Sequence, residues 1–215
     1  MAINENTNLK NRHSLYLAKS GYGKSQTLIR RGGIPNSGAR VVLWDNNKDH
    51  PAHRFDSLAA FMRALAAGHK SGRGFRLAYT GDASPDAFEV WAHGVWEILD
   101  GRRETYLMIE EYSDCCPGPG PLRPNSAFYH RRLWTQGRKY GGIIHATSQR
   151  PQLISKDALG NAGIIWASSM DLSAAKRIAA EIDVSHDELR RCQVGEFFYR
   201  NNGAQAEKIK VFQPK

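Results

Sequence analysis

A chain of 215 residues with 41% hydrophobic composition is long enough for one sizeable core and too short for two ordinary domains, so a single domain over residues 1–215 is expected. No apolar run approaches the roughly 20 residues that cross a bilayer, and the start Met-Ala-Ile-Asn-Glu-Asn-Thr-Asn lacks a signal-peptide pattern, which predicts a soluble intracellular protein. A net charge of +9 suggests a polyanionic partner, and Cys115, Cys116 and Cys192 fit no C-x-x-C spacing, which suits a reducing compartment.

In chain order, short apolar runs at Ser14 to Ala18, Arg40 to Trp44, Phe75 to Tyr79, Tyr106 to Ile109, Gly142 to Ala146 and Ile164 to Ala167 read as doubly covered strands. Helical patterns lie between them. One starts at Asp56, ahead of Leu58, Phe61 and Leu65; another at Ser84-Pro85, ahead of Phe88, Trp91 and Val95. Later helices begin near Ser126 and Asp171, and Ser185 with Glu188 predicts a capping box. Gly195 to Arg200, the turn Asn201-Asn202-Gly203 and Lys208 to Phe212 predict a terminal β-hairpin. Alternation of strands and helices predicts an α/β fold with a mostly parallel sheet. The run Cys115-Cys116-Pro117-Gly118-Pro119-Gly120-Pro121 forbids regular structure and marks a loop.

Chemistry concentrates first at Ala18-Lys19-Ser20-Gly21-Tyr22-Gly23-Lys24-Ser25, which follows a strand and opens a helix, the context of a phosphate-binding loop. Ser20, Gly21, Tyr22, Gly23 and Gln26 would offer backbone N–H groups to the phosphates of ATP. Lys24 would reach the β and γ oxygens, and the Ser25 hydroxyl would ligate Mg2+. The first position is Ala18, where many such loops have Gly. Tyr106 to Ile109 then runs into Glu110-Glu111, a strand ending in acids: Glu110 would hold Mg2+ directly or through water, and Glu111 would deprotonate the attacking water. His50 and His53 are expected as surface residues of a loop rather than as a metal pair, and Asp45 would face a ribose or cap the turn after its strand.

Gly137-Arg138-Lys139-Tyr140-Gly141-Gly142 leading to Thr147-Ser148-Gln149-Arg150-Pro151 resembles the FtsK-HerA superfamily of DNA-pumping ATPases. There a GR-[KR]-[aromatic]-G turn enters a strand ending in T-x-Q-R-P. The resemblance runs from the P-loop to Gly195-Glu196-Phe197, and is strongest to the small genome-packaging ATPases of membrane-containing, double-jelly-roll (tectivirus-like) phages. It implies a RecA-like (ASCE) P-loop NTPase whose sensor strand lies between the P-loop strand and the acidic strand. It also implies that Gln149 senses the γ-phosphate, and that Arg138 acts as an arginine finger in a neighbouring subunit, with Arg131, Arg132 and Arg150 as competitors. The family's acidic strand usually ends in Asp-Glu, and the extra methylene of Glu110 leaves the division of labour between the two acids open.

The implied function is an ATP-hydrolysing motor that translocates double-stranded DNA and packages a viral genome into a preformed capsid, with another DNA-pumping or conjugation ATPase of the same superfamily as the alternative. It would assemble as a ring, with a hexamer expected, in the host cytoplasm or at a virion vertex, docked on a capsid vertex or a membrane protein. A small-molecule kinase and a non-hydrolysing switch explain fewer of these residues. Between Asp114 and Asp157 there is no carboxylate, while seven Lys/Arg fall there, and Arg123, Arg131 and Arg132 are the expected DNA contacts.

Overall fold

The computed structural model describes residues 1–213. Nine strands form one sheet: β1 (Ser14–Leu17), β2 (Arg40–Trp44), β3 (His53–Phe55), β4 (Phe75–Tyr79), β5 (Thr105–Ile109), β6 (Gly142–Ser148), β7 (Ile164–Ala167), β8 (Glu196–Asn201) and β9 (Glu207–Lys210). Their order is β3-β4-β2-β5-β6-β1-β7-β8-β9, parallel from β3 through β7, with β8 and β9 antiparallel at one edge. The six strands read from sequence are all present. The exposed three-residue β3 escaped notice because it carries no apolar run.

Helices α1 (Lys24–Arg31), α2 (Leu58–Lys70), α3 (Pro85–Ile98), α4 (Tyr112–Cys115), α5 (Phe128–Gln136), α6 (Lys156–Asn161), α7 (Leu172–Ile182) and α8 (His186–Arg190) cover the two faces unequally. One face carries the large core, with residues from α2, α3, α5, α6 and α7; the other is covered by α1 together with Tyr22, Ile34 and Phe212. Strand alternation allocates the residues: Leu15 and Leu17 point into the first core, Tyr16 and Ala18 into the second. Trp44 anchors the larger core against Phe88 and Trp91, with ring centroids 5.0 and 5.9 Å away. Each such pair adds about 0.5–1.5 kcal/mol beyond its buried area.

Serines start three helices by accepting a backbone N–H: Ser57 from Ala60, Ser84 from Ala87, and Ser155 from Ala158. The α2 start therefore falls on Ser57 rather than Asp56. At α8 the expected capping box is absent, since the Ser185 side chain makes no cap hydrogen bond. The terminal hairpin forms, but its loop is wider than a tight turn: Tyr199 pairs with Glu207, and Asn202 and Gly203 both take positive φ between the strands.

Three buried histidines have a solution consequence. His13, His130 and His145 are held to about 3, chiefly by burial, and for His13 also by Arg138. Their ordinary value in an unfolded chain is about 6.5, so below that pH the unfolded state binds more protons and stability falls. His69 is lowered as well, while His50 is raised and acts in the opposite sense. The urea midpoint is expected to drop as pH is lowered from 6.5 to 5, before ordinary carboxylates titrate; a flat midpoint across that window would contradict the burial of these imidazoles.

Candidate functional site

The site lies along the carboxyl ends of β2, β5, β6 and β1, and register places its residues side by side. Trp44 pairs with Ile109 and Ile109 with Ala146, so one residue further on Asp45, Glu110 and Thr147 form a row across three strands. Tyr16 pairs with Thr147 and Leu17 with Ser148, so the P-loop leaves β1 beside Gln149. The sensor strand β6 lies between the P-loop strand and the acidic strand, as the resemblance implied.

Gly21 and Gly23 both take positive φ, 79° and 93°, conformations that L side chains avoid. Gly23 is the N-cap of α1, whose first turn holds no acid, so its free N–H groups and its dipole would favour a ligand of negative charge. Lys24 is buried, with its Nζ 3.8 Å from Glu111 Oε1. Burial pushes its ammonium below its ordinary value, and the charges of Glu111 and Glu110 offset this only in part. The C-terminal segment roofs the loop: Gly195 N–H donates to the Tyr22 carbonyl, and the Phe212 ring occupies the space where a side chain on Gly23 would stand.

Glu111 takes φ 46°, a strained value for a residue with a Cβ, and caps α4. This bend turns its carboxylate back toward the sheet. Its N–H donates to Thr147 Oγ1 at 3.1 Å, and its Oε2 accepts the Gln149 N–H at 3.1 Å. Thr147 Oγ1 in turn donates to Glu110 Oε2 at 2.5 Å. The other oxygen of Glu110 pairs with His50 Nε2 at 2.6 Å. Burial raises the Glu110 carboxyl, but hydrogen bonds from His50 and Thr147 and the charges of His50 and Lys24 outweigh it and hold the group below its ordinary value. Burial lowers His50, and Glu110, Asp45 and Asp49 more than reverse this.

His50 is therefore not the surface histidine expected from sequence; it is buried against Glu110, while His53 lies exposed on β3. Asp45 caps the turn, accepting N–H bonds from Asp49 and His50 at 2.9 and 3.0 Å. Neither His50 nor Thr147 carried a sequence signal for this role, because both become neighbours of Glu110 only once strand order is known.

The donors suit Mg2+. They are hard oxygens, Ser25 Oγ has no protein partner among the described residues, and each Glu110 oxygen keeps a second lone pair. Ser25 and Glu110 are the residues that would hold the ion, with ATP phosphates supplying further ligands. Ser20 and Gln26 are exposed, and Ser25 is half-buried, on the loop and the first turn of α1.

The other expected residues lie elsewhere. Arg138 sits in the turn before β6, at the amino ends of the strands and so opposite the site, about 20 Å from the P-loop by strand rise, and donates to the Thr7 and Leu9 carbonyls. Arg131 pairs with Asp157 at 3.3 Å. Arg132 lies over Trp96 and Phe128, 4.4 and 5.1 Å from the ring centres. Arg123 is exposed on the Pro/Gly loop, with no carboxylate in ion-pair range among the described residues.

Sheet order, phosphate loop and acidic strand define a P-loop ATPase fold of the RecA-like type. No protein-family model matches the chain. Protein P9 of Pseudoalteromonas phage PM2 is 28% identical over 188 residues, covering 86% of this chain and 81% of that protein. The genome packaging NTPase B204 of Sulfolobus turreted icosahedral virus 2, solved with AMPPCP, superposes with a TM-score of 0.73 at 12% identity, over 95% of this chain and 99% of B204. VirB4 of Thermoanaerobacter pseudethanolicus gives 0.64 at 15% identity, covering 95% and 90%.

Gly23 bears two constraints at once, its φ of 93° and the Phe212 ring. Gly23→Ala is expected to weaken binding of a non-hydrolysable ATP analogue by roughly tenfold or more, as about 1–3 kcal/mol of backbone strain implies. Titration calorimetry reads this directly, and unchanged affinity would remove the loop from the binding site.

Proposed function

We propose that this protein is an ATP-hydrolysing motor that translocates double-stranded DNA and packages a viral genome into a preformed capsid. The observation that carries the catalytic half is Glu111, whose carboxylate is held between the P-loop lysine and the Gln149 backbone. A carboxylate beside the γ-phosphate position serves to activate water, which neither a nucleotide-regulated switch nor a small-molecule kinase requires. The motor half is supported by the superfamily resemblance and by likeness over nearly the full length of a packaging NTPase.

In this reading Lys24 and the loop N–H groups bind the phosphates, Ser25 and Glu110 hold Mg2+, and Glu111 takes the proton of the attacking water. The Gln149 side chain, exposed at the end of β6, meets the γ-phosphate. Arg138 lies too far away to serve its own site and acts across a subunit interface of a ring, leaving the carbonyls of Thr7 and Leu9 to do so. Of the three arginines expected on the DNA path, Arg123 is the one without a partner for its charge among the described residues, and it leads the contact with phosphates. Such a ring works in the host cytoplasm, seated on a capsid vertex or a membrane protein.

Turnover measured with and without double-stranded DNA tests the whole reading: stimulation by DNA is expected, and a kinase would show none. Lys24→Ala abolishes turnover, whereas Glu111→Gln retains nucleotide binding and stops hydrolysis; wild-type turnover in Glu111→Gln would move the base to another carboxylate. Rings mixed from Arg138→Ala and Lys24→Ala subunits are expected to regain activity that each lacks. In a salt series, Arg123→Gln reduces the slope of log affinity for DNA by about 1 while turnover without DNA persists, and an unchanged slope would place the DNA path elsewhere.

A further inference from the structure

Glu110 is bracketed from both neighbouring strands. On the β6 side the bracket is Thr147; on the β2 side it is the imidazole of His50, and both partners are almost fully buried. The turn that carries His50 is itself locked. Fully buried Asp45 accepts two of its N–H groups, and Arg54 closes it from outside by donating to the Lys48 and His50 carbonyls. An ionised carboxylate only accepts, so His50 Nε2 is the donor.

We infer that His50 is a positioning residue of the ATPase centre, pinning Glu110 so that Glu111 is left as the carboxylate that meets the attacking water. The inference rests on the ATPase reading above and gives the two acids different roles. Glu110, with each oxygen bonded to a protein donor, is a fixed charge. Glu111, 15% exposed, touches Lys24 and the sensor loop. The two are linked, because the hydroxyl that donates to Glu110 accepts the Glu111 N–H. Loss of the His50 bond frees one side of Glu110, and the shift reaches the Glu111 backbone through Thr147. The longer side chain at position 110 has the same explanation: Glu spans a gap to His50 that Asp, shorter by one methylene, leaves open.

The reach of the donor is the quantity to vary. Gln places an amide N–H about as far from the backbone as His Nε2, and Asn stops one methylene short. With wild type, His50→Asn and His50→Gln compared under saturating Mg2+, kcat for ATP hydrolysis in His50→Asn falls about ten- to a hundredfold, as loss of a charge-assisted hydrogen bond implies. KM for ATP and binding of an ATP analogue stay within about twofold, and His50→Gln recovers most of the rate. Glu110→Asp lowers kcat in the wild-type background and adds little in His50→Asn, since the contact is already gone.

Equal rates in the Asn and Gln variants, whether both normal or both impaired, overturn the inference, as does a rise in KM without a fall in kcat. Full additivity of Glu110→Asp with His50→Asn also overturns it. A wild-type protein that binds the analogue but does not turn over ATP brings down the ATPase reading and this inference with it. That result is distinct from an active wild type with an indifferent position 50.

Discussion

The Thr147 hydroxyl is the joint of the nucleotide site. It donates to Glu110 and accepts from the Glu111 N–H, so two consecutive residues of the acidic strand hang from one atom of the sensor strand. Parallel pairing of β5 with β6 makes this possible by setting Thr147 level with Glu110. A slip of one residue would turn the hydroxyl to the opposite face of the sheet. The strained φ of Glu111 is held by the same joint, since its N–H finds its acceptor there.

Charge is arranged around that joint to offset desolvation. Lys24 and Glu110 are nearly buried, and isolated charges in such a place would neutralise. Lys24 instead faces Glu111, and Glu110 takes hydrogen bonds on both oxygens. In the proposed reading a triphosphate would replace Glu111 as the partner of the lysine, and the carboxylate so released would accept a proton from water.

Much of this was legible in the sequence because it depends on local pattern. Glycines that permit positive φ, an apolar strand before them and a lysine after them specify the phosphate loop without reference to the rest of the chain. The acidic strand and the sensor strand were equally plain as runs. Their lateral order was not, and it came from resemblance rather than from the residues. His50 shows why: it lies 60 residues from Glu110, in a polar turn whose composition reads as surface, and only the pairing of β2 with β5 brings them together. The arginines show the converse. Arg131 and Arg132 look like free charge in sequence, yet one is paired with a carboxylate beyond the acid-free stretch and the other lies on aromatic rings.

The contact of Phe212 with Gly23 joins the outermost strand of the sheet to the phosphate loop. The hairpin is antiparallel and edge-placed, so β9 is bonded along one side only, to β8. A second copy of the chain or a docking protein held on that open edge would pull within a few residues of the phosphate loop. Load applied at that rim would reach, along a single strand, a ring of carbon atoms resting on a glycine. Filling and emptying of the nucleotide site would be felt at the rim by the same route.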